Sequence, residues 1–265
     1  FENQVKELLK YIIGVDDNCI YKRIINLSLK HNSRTLLNNE NFTTQLWFLP
    51  FGIGLKINDL SKNLKNIMMN YDKFKNYEIL IINSQVREIK NLKETIHKIE
   101  CDAIKNNKDG LILLAGNQCS LGITLPLVDI VFLMNNISSS DKIMQMMYRC
   151  MSETSDGSKK NGYVVDFNIN RVLHTFIDYP IFESNLMSHQ KIEYMIENNL
   201  IHLDNDIFES KKNNGELINK LLHIWKNDPD NEHRFLFKKI QNLNLDIPKK
   251  EQEIINNHFS SLGDD

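Results

Sequence analysis

The chain is poor in the residues that break or staple a backbone, with ten glycines, five prolines and four cysteines among 265 residues. No glycine is followed directly by lysine, so the G-x-x-x-x-G-K-[ST] phosphate loop is absent, and no acidic box stands at a strand end ahead of the central apolar runs. Gly52-Ile53-Gly54 has Ile57 where a third glycine would be needed and reads as a turn. Cys19, Cys101, Cys119 and Cys150 are widely spaced without a C-x-x-C pair, and none of the eight histidines pairs with another at metal spacing. Neither a zinc site nor a disulfide framework is suggested, and no metal ligands are assigned; a reducing compartment fits. No stretch approaches the roughly 20 apolar residues that span a bilayer, and Phe1-Glu2-Asn3-Gln4 lacks a basic-then-apolar leader. The expectation is an intracellular protein that is not secreted and has no membrane partner. Phe rather than Met at position 1 reads as a piece of a longer polypeptide.

Charge of one sign is missing too. With 32 basic against 34 acidic side chains, net −2, nothing draws the whole chain toward nucleic acid, so any such contact must be local. The basic pairs Lys159-Lys160 and Lys211-Lys212 read as solvated loop charge. Asn, Ile and Lys are heavily used, which reflects an AT-biased genome rather than a fold. The hydrophobic share, 42%, is enough for one medium domain with a smaller satellite.

What is present is a series of short apolar runs bounded by turn residues: Gln45–Leu49, Glu78–Ile82, Leu111–Leu114, Ile130–Met134 and Tyr163–Phe167. Continuous rather than alternating apolarity predicts strands covered on both faces, as in a parallel sheet between helices. The gaps carry helical spacing, at Ile57, Leu60, Leu64, Ile67 and Met68, then at Ile89, Leu92, Ile96 and Ile99. The third gap has room for a helical turn or two around Ser120 to Leu125. The fourth opens on Ser138-Ser139-Ser140-Asp141, an N-cap cluster, followed by Ile143, Met144, Met147 and Met151 as apolar positions. Residues 1 to 37 and parts of 181 to 265 are patterned as helices without strand runs. The expected fold is α/β, a parallel sheet covered by helices with helical N-terminal and C-terminal flanks. Trp47 and Phe48, inside an apolar run, read as core, and Trp225 with Phe235 and Phe237 as helix-packing residues.

Between the third and fourth runs, Ala115 to Asp129 follows one strand and leads into another, at the carboxyl edge where open α/β sheets bind ligands. Gly116 and Gly122 fit a sharp strand exit. After the next run, Gln145 and Arg149 are four residues apart and share a helical face. With Met144 and Met147 buried, that face is expected to look toward the same sheet edge as Gly122.

At these residues the chain resembles the second RecA-like domain of superfamily-two helicases and translocases. Leu121-Gly122-x-x-Leu125 with Asp129 is similar to motif V of Swi/Snf-type translocases, and Gln145-x-x-Tyr148-Arg149 looks like the glutamine and first arginine of motif VI. Ile79 to Ser84 takes the place of motif IV. More narrowly, Gln45 to Gly52 and Met146 to Met151 look like a helicase group of large nucleocytoplasmic DNA viruses, which would put the chain in the cytoplasm, a virus factory or a virion. The likeness runs from about Thr44 to Ile177.

The resemblance implies a helical lead-in or inter-domain segment at 1–40, the second RecA-like domain at 41–180 and a helical extension at 181–265. It implies an upstream RecA-like domain in the same polypeptide that binds most of the ATP and magnesium, with DNA or RNA as track. Arg149, seconded by Gln145, would serve catalysis by reaching the γ-phosphate. Gly122, Thr124 and Asp129 would line the ATP site, and Asn83, Ser84, Gly116 and Asn117 the nucleic-acid backbone. The physical logic is general, because phosphoryl transfer spreads negative charge that a guanidinium supplied across an interface stabilises. Ser152 stands where the family has a second arginine, and Gly116 where many members have threonine. Two other readings fit the same residues: a non-catalytic RecA-like interaction module that docks a protein or nucleic acid, and an unrelated doubly wound protein.

Overall fold

The computed structural model describes residues 19–32, 41–50, 56–83, 92–116, 119, 124–137, 139–155, 157–178 and 186–199, with 6, 9, 10, 12, 219 and 223 singly. The fold is α/β. Five strands, β1 (Thr43–Phe48), β2 (Tyr77–Ile82), β3 (Gly110–Ala115), β4 (Val128–Leu133) and β5 (Tyr163–Asp166), form one sheet of order β2-β3-β1-β4-β5. Every pairing is parallel, the arrangement of a RecA-like sheet. All five apolar runs are strands. The three central ones are buried at every position, whereas the edge strands β2 and β5 are only half-covered.

Alternation along each strand feeds two cores. On one face Trp47, Ile112, Leu114, Ile130 and Phe132 pack against α1 (Ile20–His31), α2 (Ile57–Met69) and the short α3 (Asp72–Lys75). Trp47 stacks on Phe132 with centroids 4.4 Å apart. On the other face Leu46, Phe48, Leu111, Leu113, Val131 and Leu133 meet α4 (Leu92–Lys105) and α5 (Ser140–Met147). Helix α5 runs into a 3-10 turn, Tyr148–Cys150. Beyond β5 lie α6 (Ile169–Asp178) and α7 (Ser188–Asn198). The chain falls into two compact units, Phe1–Ile218 and Asn219–Asp265; in the second only Asn219 and His223 are described, both helical.

The N-terminal flank is an integral part of the first unit. Tyr21, Ile24 and Ile25 of α1 sit in the sheet core, and the Tyr21 hydroxyl accepts a 2.8 Å hydrogen bond from Gln45 of β1. Gly110 opens β3 where a Cβ would overlap the Thr43 carbonyl oxygen, so the β1–β3 approach requires glycine there.

Helix α5 departs from the expected register. Its buried side chains are Ile143 and Met146, the latter fully, followed by Cys150 in the turn; Met144 and Met147 are half-buried and Met151 is exposed. Met146 also approaches the Asn135 amide, at 3.3 Å to its sulfur. Ser139 takes the N-cap position without a side-chain cap bond. Ser138, the Gly52-Ile53-Gly54 turn, the turns around Ser120, Ile89, Lys211-Lys212, Trp225 and the Phe235–Phe237 pair lie outside the described residues.

Candidate functional site

The connection out of β1 leads to α2 on one face, whereas that out of β4 leads to α5 on the other. The topological switch point therefore falls at the carboxyl end of β1, flanked by the exits of β3 and β4. Two predicted residues stand at this edge. Asn83 follows β2 directly, is buried, and donates from its amide to the Asn58 side chain at 3.0 Å. Its amide thus braces the first turn of α2. Gly116 follows β3, is buried, and donates its N–H to the Ile82 carbonyl at 3.3 Å, with Ile57 where a side chain would extend. Ser84, Asn117 and Gly122 lie outside the described residues, and Thr124 is exposed in the β3–β4 connection.

Asp129 is not at this edge. It is the second residue of β4, at the amino end of the sheet, only 1% exposed, and accepts from the Thr44 N–H at 2.9 Å and the Asn32 amide at 3.1 Å. Asn32 ends α1 and its side-chain oxygen accepts from the N–H groups of Lys160 and Asn161, both at 3.0 Å. Asp129 therefore fastens α1 and the β5 approach beneath the sheet. The strand-to-strand span from Ala115 to Asp129 crosses the whole sheet, so its two ends cannot share one edge.

Gln145 and Arg149 are both half-buried, in α5 and in the 3-10 turn that follows. The turn lies beside the amino half of β4 rather than at the carboxyl edge. The Cys150 thiol feels Asp129 and Val131, and the Cys150 carbonyl faces Gly162, one residue before β5. Burial pushes the Cys119 thiol up to about 12, and the nearby Arg149 guanidinium opposes that rise by favouring the thiolate. The structure thus sets Arg149 within electrostatic reach of Cys119, and leaves Asn83 and Gly116 at the carboxyl edge.

Two charged side chains with structural roles here lie outside the predicted set. Lys159, read from sequence as solvated, is 7% exposed and clamps two loops, its ammonium donating to the Ser152 carbonyl at 2.8 Å and to Pro126 at 3.2 Å. Paired carbonyl acceptors are what permit a lysine to be buried. Arg171 of α6 is 4% exposed. Its guanidinium binds Asp166 through two nitrogens, at 2.6 and 2.8 Å, and donates to the carbonyls of Leu133, Asn135 and Ile137. These are the exits of β4 and β5, so Arg171 fixes the chain that delivers α5 and Arg149. A charged residue inside an apolar run, Asp166, was the available signal.

Gly162→Ala tests the seat of the Arg149 turn. An added Cβ would overlap the Cys150 carbonyl oxygen and come within 3.0 Å of its sulfur. The expected loss of stability is about 1–3 kcal/mol by chemical denaturation, the usual range for overpacking, with the turn displaced.

Alkali provides a second test. Cys119 and Cys150 are both raised by burial from the ordinary 9.0 to about 12. A group whose folded value is raised contributes stability in full below the unfolded value and loses it as pH climbs toward the folded one. The window is therefore 9 to 12. By about pH 10.5 the loss should reach roughly 2 kcal/mol per thiol. Thermal midpoints measured across this window should fall less steeply in Cys119→Ala and Cys150→Ala.

Among the described residues, no three of His, Cys, Asp and Glu gather as a metal-ligand set, and no helix is long and apolar enough to cross a membrane. No protein-family model matches the chain, and no curated protein matches it significantly.

Proposed function

We propose that the chain is the C-terminal RecA-like motor domain of an ATP-dependent nucleic-acid helicase or translocase, supplying Arg149 to a nucleotide held mainly by a P-loop domain. The observation that carries this reading is the seat of Arg149. It is half-buried in the turn after α5 and within electrostatic reach of Cys119, in the connection that resembles motif V, on an all-parallel sheet. With Ser152 in the second position, Arg149 is the only arginine of that motif.

ATP with Mg²⁺ supplies the phosphoryl group when bound between the two domains. The donors of this chain suit a contact to the γ-phosphate and not a metal seat, since Asp129 is turned inward on Asn32 and Thr44. Arg149 would meet the charge that develops on the transferring phosphoryl group, and Gln145, one helical turn earlier, would orient it. Asp129 then acts by positioning β4 rather than by touching nucleotide. Nucleic acid would contact the carboxyl edge near Gly116 through backbone groups, the Asn83 amide being engaged with α2.

The test is ATP turnover by the full-length polypeptide with and without DNA or RNA, for wild type and Arg149→Ala. Stimulated turnover that collapses in the variant supports the reading. Turnover that neither nucleic acid stimulates favours an unrelated doubly wound protein, and a reading frame without a P-loop and acidic box favours the non-catalytic docking module.

A further inference from the structure

The outward face of α4 carries a pair that a residue count by type overlooks. His97 and Cys101 are four residues apart, and the helix brings His97 Nε2 within 3.8 Å of Cys101 Sγ. The inward face of α4 is separate, with Ile96, Glu100 and Ala103 buried toward the sheet. His97 is exposed and Cys101 half-exposed, whereas Cys19, Cys119 and Cys150 are all buried.

Zinc binds thiolate sulfur at about 2.3 Å and imidazole nitrogen at about 2.0–2.1 Å, so two such ligands at a tetrahedral angle lie about 3.6 Å apart. The observed sulfur-to-nitrogen distance is close to that bite, so a cation can be chelated with little movement of either side chain. The helix backbone fixes the spacing, so little ordering entropy opposes chelation.

We propose that His97 and Cys101 form a two-ligand site for a borderline, thiolate-accepting divalent cation of the Zn²⁺ type. Among the described residues no third His, Cys, Asp or Glu joins them. Water or an incoming ligand would complete the coordination, which makes a two-ligand site labile and exchangeable. Binding displaces the thiol proton and any imidazole proton, so affinity rises with pH. The site lies on a different helix from Arg149 and does not rest on the motor reading.

Cobalt(II) is the probe, titrated into the full chain prepared without a polyhistidine tag in a non-coordinating buffer, followed by zinc competition. A sulfur-to-cobalt charge-transfer band should grow to about one cation per chain, as one Cys–His pair per chain requires, and zinc should bleach it. The band should vanish in Cys101→Ser. Removing even an outer-sphere partner of a metal ligand costs about 10–100-fold in affinity, so His97→Gln should weaken binding at least tenfold. Circular dichroism should be unchanged in both variants, because neither side chain is buried. A band that survives Cys101→Ser, wild-type affinity in His97→Gln, or no band at millimolar cobalt would overturn the site and leave a thiol–imidazole contact only.

Discussion

Replacing Arg171 with methionine is expected to lower unfolding stability by about 3–5 kcal/mol, the range for breaking a buried ion pair from one side. Asp166 would be left as a carboxylate with its side chain only 8% exposed and its countercharge gone. The carbonyls of Leu133, Asn135 and Ile137 would lose a donor at the same time. The double variant Arg171→Met with Asp166→Leu separates these contributions. Removing both charges relieves the uncompensated carboxylate, but the carbonyls of Asn135 and Ile137 still lack the guanidinium, at about 1–3 kcal/mol each if they stay dry, while Leu133 keeps the Phe167 N–H. Partial recovery is therefore expected. An unfolding free energy from urea titration within about 1 kcal/mol of wild type for Arg171→Met would refute the assignment, since exposed ion pairs contribute no more than that.

The fold was largely legible because its evidence is local. A strand covered on both faces is mostly apolar, and β1, β3 and β4 are buried at every position, with Thr43, Thr44, Gln45 and Asp129 as polar exceptions. The order β2-β3-β1-β4-β5 was not legible, because adjacency depends on pairings between segments far apart in the chain. Helix α5 shows a different limit. Ile143, Met144, Met146 and Met147 are all apolar, so hydrophobic periodicity does not distinguish the face with Met144 and Met147 from the buried one with Ile143 and Met146.

Polar side chains were harder still, because satisfaction by remote partners decides their burial. Lys159 is buried by carbonyls at 126 and 152, Asp129 by donors at 32 and 44, and most of the Arg171 acceptors lie more than 30 residues away. Asp129 also shows what a motif spacing leaves open. Its distance from Gly122 along the chain matches motif V, but a span that crosses the sheet ends at the opposite edge.

Under the motor reading, Arg149→Ala should reduce nucleic-acid-stimulated ATP turnover by about 10³-fold or more, roughly 4 kcal/mol of transition-state stabilisation. The loss should fall on kcat rather than on KM, because a guanidinium that meets charge developing in the transition state contributes little to ground-state binding. Arg149→Lys keeps the charge without the planar fork and should recover only part of the rate. Ser152 sharpens the expectation, since no second arginine stands one helical turn further on to share the role.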